Sequence, residues 1–75
     1  MNKKNLKIFN ELIEKLKKEY NNLTIKINNL DIWIKLNEKR YDNEYIFMLE
    51  QQKDIMVEYS EILYQRIKYL IAKYN

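Results

Sequence analysis

Four residue types are missing from this 75-residue chain: cysteine, histidine, glycine and proline. Without cysteine there is no disulfide and no thiolate to hold zinc. Without histidine the commonest metal ligand and the commonest general base are gone. The lack of glycine excludes phosphate loops and any turn that needs Gly at positive φ. The lack of proline leaves no helix breaker of either kind. No apolar run approaches the ~20 residues that a bilayer span requires, and no signal-peptide core is present. What remains is 33% charged and 47% hydrophobic, the composition of long helices and coiled coils. An excess of Asn, Lys, Ile and Tyr is what an AT-rich genome would encode. A chain this short buries only about 60% of its unfolded surface, so a lone monomer is marginal.

Residues 24–45, TIKINNLDIWIKLNEKRYDNEY, carry two conflicting patterns. Ile25, Ile27, Leu30, Ile32, Ile34 and Leu36 alternate around Asn28-Asn29, as in a β-hairpin with a two-residue turn. Yet Leu6, Phe9, Ile13, Leu16, Tyr20, Leu23, Ile27, Leu30 and Ile34 follow one another in alternating steps of three and four. That is an unbroken heptad seam running through the supposed hairpin. An isolated two-stranded hairpin is marginal in water, so the seam prevails.

The second half reads as a seam of its own: Tyr45, Leu49, Gln52, Met56, Tyr59, Leu63, Arg66, Leu70 and Lys73. Opposed positions of an antiparallel hairpin have a constant sum of residue numbers. A single turn at Asn37–Asp42, centred on Lys39-Arg40, then pairs every seam position, from Ile34 with Tyr45 to Leu6 with Lys73. Phe9 falls opposite Leu70 and Tyr20 opposite Tyr59 in this scheme. Asp42 is placed to cap the second helix, with Glu44 in its first turn. The expected fold is all-α: one antiparallel two-helix hairpin spanning residues 1–75, with helices over 4–36 and 43–74. Glu11–Lys15 and Glu14–Lys18 have the spacing of supporting surface pairs.

Two stripes do not bury all the apolar residues. Ile32, Trp33 and Leu36 lie off the first seam near the turn, with Ile46 and Phe47 across from them. Met48, Ile55, Ile62 and Tyr69 form a second stripe at heptad spacing. Contiguous exposed apolar surface marks an interface. A homo-oligomer is therefore expected, most simply two hairpins in a four-helix bundle. Ile32, Trp33, Leu36, Phe47, Ile55 and Ile62 are its expected contacts. Gln52 interrupts the second seam and is expected to fix register at a cost in stability. Arg66 also interrupts it. Either an acid meets it, Glu11, Glu14 and Glu61 being nearest, or its stem lies over Ile13 with the charge in water.

The hairpin brings the chain ends together and gathers Lys3, Lys4, Lys7, Arg66, Lys68 and Lys73 with no acid among them, interleaved with Tyr64, Tyr69 and Tyr74. Basic and aromatic side chains together hold phosphate and stack on bases. The same cations also complement the helix dipole and keep the ends solvated. Arg66, Lys73, Lys4, Lys7 and Tyr69 are the candidate ligand-binding residues. A net charge of +3 is too small for a general nucleic-acid coater. Catalysis finds no support: no paired carboxylates share one facing level, and the Glu-x-x-His pattern of bundle metal sites cannot occur without histidine. No cofactor and no metal are expected.

The order Leu49, Gln52, Met56, Tyr59, Leu63, Arg66-Ile67 resembles a family of small phage proteins labelled from a crAss-like phage. The resemblance covers residues 23–67 and implies a helical hairpin. It departs in the linker, where NEKRYDNEY is short and basic rather than acidic and Phe-containing. It implies a non-catalytic protein that acts by occupation in the cytoplasm of an infected bacterial host. Such a protein would sequester a phosphate-bearing cyclic nucleotide signal, as other small helical-hairpin sponges do by analogy of architecture. Alternatively it would bind and inhibit a host defence protein, as an anti-CRISPR does, with Ile32, Trp33, Leu36 and Phe47 as the hot spot. A structural bundle without ligand is the third expectation.

Overall fold

A computed structural model describes residues 3–74. Two helices, α1 (Lys3–Asn37) and α2 (Asn43–Tyr74), lie antiparallel against each other. Together they form a rod 57 × 14 × 12 Å. No strand occurs among the described residues, and 24–36 is helical throughout. The weak helix formers of that stretch are accommodated locally. Thr24 Oγ1 donates to the Tyr20 carbonyl at 2.9 Å, so its hydroxyl is satisfied by the turn below it.

The link between the helices needs no residue at positive φ, which is how a chain without glycine makes it. The Arg40 N–H donates to the Asn37 carbonyl at 2.9 Å, and Asn37 Nδ2 donates back to the Trp33 carbonyl at 2.8 Å. The first satisfies a carbonyl orphaned at the end of α1, and the second adds a side-chain donor to its last turn. Asp42 caps α2: its Oδ1 accepts from the Tyr45 N–H at 2.8 Å and its carbonyl from Ile46 at 3.2 Å. Glu44 sits in that first turn, against the positive end of the helix dipole.

The inward face of α1 is the heptad seam read from the sequence, from Phe9 to Ile34, with Leu6 left 41% exposed at the open end. The seam of α2 differs at every second position. Leu49, Met56, Leu63 and Leu70 point inward as expected. Between them lie Ile46, Lys53, Ser60, Ile67 and Tyr74, whereas Tyr45, Gln52, Tyr59, Arg66 and Lys73 are exposed. The reason is apolar gain. Moving from Arg66 to Ile67 and from Tyr45 to Ile46 buries two branched aliphatic side chains, each worth ~1.5–3 kcal/mol when fully covered. Ile67 joins Leu16 and Leu63 in the central cluster, with Tyr20, Leu23 and Leu70 packed around it.

Register changes too. Phe9 stacks on Tyr74 with ring centroids 3.6 Å apart, one helical turn beyond Leu70. Tyr20 meets Tyr64 at 6.0 Å rather than Tyr59. Side chains on a helix lean toward its N-terminus, so each covers the surface about one residue behind its own Cα. In an antiparallel pair the two leans point in opposite directions along the rod. Partners are therefore displaced by about two residues from a count based on the turn alone, and the turn itself is centred slightly later than Lys39-Arg40.

Gln52, outside the seam, is not the buried polar residue of α2; its amide reaches only Met56 Sδ, at 3.9 Å. No polar side chain is fully buried among the described residues, and the half-buried Lys53 interrupts the seam instead. Its Nζ meets Asp31 Oδ1 across the helix pair at 3.0 Å and Glu50 at 3.1 Å, while Asp31 also holds Lys35 at 2.9 Å. Hydrogen bonds from Lys35 and Lys53 hold the Asp31 carboxyl below its ordinary value, and those to Asp31 and Glu50 hold Lys53 above its own.

Candidate functional site

At about 100° per residue, the seam leaves each helix two flanks, and the hairpin joins them in pairs. One flank of α2 carries the stripe Met48, Ile55, Ile62 and Tyr69 beside Tyr45, Gln52, Tyr59, Arg66 and Lys73. The flank of α1 that meets it carries Leu12, Glu19, Lys26 and Trp33, then Ile8, Lys15, Asn22 and Leu36. Contacts across the groove fix this pairing. The Tyr59 hydroxyl donates to Glu19, and the Trp33 ring packs on Tyr41, which packs on Tyr45, at 5.3 and 5.5 Å. The opposite flank holds Glu14, Lys17, Asp31, Lys35 and Glu50, and with Lys53 at its edge it contains every ion pair among the described residues. Ion pairs thus concentrate on one flank, where Phe47, Val57 and Ile71 are also exposed, and exposed Met48, Ile55, Ile62 and Trp33 lie on the other.

The four stripe residues are all at least half exposed, Ile55 most of all at 66%. Trp33 and Leu36 share their flank. Ile32 projects outward from α1, and Phe47 lies on the opposite, charged flank although it is 61% exposed. The six residues expected at one interface therefore do not form one patch. Five of the six sit on or next to the apolar flank, and Phe47 stands apart.

The candidate ligand residues also divide. Arg66 and Tyr69 line a groove of about 290 Å³ with Leu12 and Leu70 on the apolar flank. Lys73 follows on the same side, its Nζ 3.0 Å from the Tyr69 hydroxyl and 5.4 Å from the ring centroid. That hydrogen bond raises the Lys73 pKa, holding its charge. Arg66 is exposed and meets no acid within ion-pair distance among the described residues; it shares its groove with Leu12 and Leu70. Lys7 lies elsewhere, in an open hollow along α1 with Lys3, Leu6 and Glu14, and Lys4 projects outward from α1. Proximity of the chain ends is not enough, because cations on different faces of two helices do not converge.

A third feature was not anticipated. Midway along the rod a cleft of about 400 Å³ is lined by Lys15, Lys18, Lys26, Asn22, Glu19 and Tyr59, together with Leu23 of the seam. The expected surface pairs Glu11–Lys15 and Glu14–Lys18 are not formed; Glu14 turns instead to Lys17, at 3.7 Å. The signal was present in the sequence as three lysines of α1 on one side of the seam, but no motif marks it. Tyr59, raised above its ordinary pKa chiefly by its hydrogen bond to Glu19, closes the far wall.

Among the described residues no three carboxylates converge as a metal site would require, and no helix is long and apolar enough to cross a membrane. No curated protein and no solved structure matches the chain. A family match does exist, and it takes in most of both helices and the link between them, residues 10–69. It begins well before the stretch that carried the resemblance to phage proteins, and it lends nothing to the crAss-like label. By this match the two-helix rod belongs to the Sequestin family.

Proposed function

We propose that this protein sequesters a small phosphate-bearing ligand, a cyclic nucleotide signal of host immunity, and performs no chemistry on it. The observation that carries the reading is membership of a family named for sequestration. Supporting it, the residues open to a ligand are cations and tyrosines rather than acid–base pairs, with Arg66, Tyr69 and Lys73 on one side of α2. Guanidinium and ammonium groups bind phosphate, and an exposed phenol ring offers a stacking face. Lys4 and Lys7 would join the site only from a second subunit.

The working form is a homo-oligomer, built on Met48, Ile55 and Ile62 of the exposed stripe, with Tyr69 at its end left to the ligand. A row of aliphatic side chains at heptad spacing is the seam of a further helix contact, and an isologous pair of hairpins would cover it on both copies. Its setting is the cytoplasm of a bacterium infected by a phage that carries it. Isothermal calorimetry against a panel of cyclic mono- and dinucleotides tests the reading. Micromolar or tighter binding of one of them is the expected result, and no heat from any of them removes it.

A second reading has its own observation. Trp33 is 37% exposed and Leu36 73% exposed at the turn end. An aromatic anchor beside an aliphatic one suits a protein partner, so a host defence protein inhibited by this end is the alternative. It predicts one stoichiometric partner, lost in Trp33→Ala while the hairpin stays folded.

A further inference from the structure

The mid-rod cleft has a composition that the packing does not require. Lys15, Lys18 and Lys26 stand on one wall with no carboxylate within ion-pair distance among the described residues, although Glu11, Glu14 and Glu19 are near in sequence. Lys15 and Lys18 lie one helical turn apart and concentrate positive charge on this wall. The one acid in the cleft, Glu19, accepts the Tyr59 hydroxyl instead, which draws it toward α2. Asn22 lies between the lysines on the same wall and adds an amide donor. From Lys15 to Lys26 the wall runs ~16 Å at 1.5 Å per residue, longer than one phosphate needs. The half-exposed Tyr59 ring faces it.

We infer that this cleft is an anion site for a ligand carrying more than one phosphate, with Lys15, Lys18 and Lys26 as the cations, Asn22 as a neutral donor and Tyr59 as the opposite wall. For the identity of its natural ligand the inference rests on the sequestering reading. The site itself stands on the lysines alone, and it is separate from the groove at Arg66 and Tyr69. Glu19 has a defined part in it. As the only negative group in the cleft it opposes a simple anion, so it selects for a ligand that also offers a hydrogen-bond donor, such as a base amino group.

An NMR titration of the full-length chain with inorganic pyrophosphate, at fixed ionic strength, tests this directly. The expected result is saturable shifts concentrated at residues 15–26 and at Tyr59. Binding should weaken at least tenfold in a Lys15→Ser/Lys26→Ser variant and tighten in Glu19→Gln. Shifts no larger there than at Lys39, or confined to Arg66–Lys73, overturn the site. Equal responses of the serine and glutamine variants do so too, since they indicate general screening. If pyrophosphate moves the cleft while no cyclic nucleotide binds, the anion site stands and the nucleotide reading falls. If a nucleotide binds but shifts only Arg66–Lys73, the outcome is reversed.

Discussion

Replacing Ile67 by alanine separates the observed packing from the one that a regular heptad count suggests. Ile67 is 8% exposed and packs with Leu16 and with Leu63, which is fully buried; Arg66, its neighbour, is exposed. Truncating isoleucine removes three carbons, about 2.4 kcal/mol of transfer free energy at ~0.8 per methylene. A residual cavity brings the loss to roughly 2–4 kcal/mol, since two helices joined at one end collapse only in part around it. A chain of this size has a total stability of about 4–11 kcal/mol at 0.05–0.15 per residue, so the loss is a large fraction of the whole. The melting temperature should fall by about 8–32 °C at 4–8 °C per kcal/mol. Arg66→Ala should change stability by no more than about 0.5 kcal/mol, the usual range for a surface substitution. Urea and thermal melts followed by circular dichroism read both, at two protein concentrations tenfold apart so that self-association is not mistaken for fold stability. Equal losses for the two variants, or a larger one for Arg66→Ala, would refute the inward placement of Ile67 and with it the seam of α2.

Three further outcomes are expected. Asp42→Ala should cost ~1 kcal/mol by removing the acceptor of the Tyr45 N–H, read in the same melts, and Asp42→Asn should restore most of it. The Asp31–Lys53 contact should make stability depend on pH at both extremes. Asp31 lies below its ordinary 3.8 when folded, so its contribution is complete above that value and is lost as pH falls through the depressed one. Lys53 lies above its ordinary 10.5, so its contribution is complete below that value and is lost as pH rises through the raised one. A melting-temperature difference between the parent and Lys53→Met that stays constant from pH 3 to 11 would contradict both. Finally, Ile55→Lys with Ile62→Lys should leave the helical signal intact while sedimentation velocity shows a smaller species; an unchanged sedimentation coefficient would remove the stripe as an interface.

Much of the rod could be read in advance, and the errors share one cause. In α1 every seam position from Phe9 to Ile34 is apolar or aromatic and no neighbour offers a better alternative, so the face was unambiguous. In α2 the fixed leucines and methionine left a choice at each intervening step: Tyr45 or Ile46, Gln52 or Lys53, Tyr59 or Ser60, Arg66 or Ile67, Lys73 or Tyr74. Three of those choices offer no aliphatic residue on either side, and regular spacing alone does not decide them. Ile46 and Ile67 were the deciding signals, and they outweigh a lysine and a serine brought inward with them. Lys53 is tolerated there because Asp31 and Glu50 meet it, a cross-helix fact that no single-helix pattern carries. The same limit hid the mid-rod cleft, since its far wall, Tyr59, belongs to the other helix. A hairpin places the basic residues of the open end near one another in sequence register, but that does not specify which way Lys4 and Lys7 project.

The short exposed link at 38–42 has a consequence beyond joining the helices. It contains Lys39 and Arg40, both reachable by trypsin in an exposed segment. While intact, it supplies each helix to the other at an effective concentration in the millimolar range, typical of short tethers. A single nick would turn an intramolecular pairing into a bimolecular one, and two peptides once locked by sequence order would separate on dilution. The persistence of the rod beside a protease would then be set by access to five residues rather than by the strength of its core.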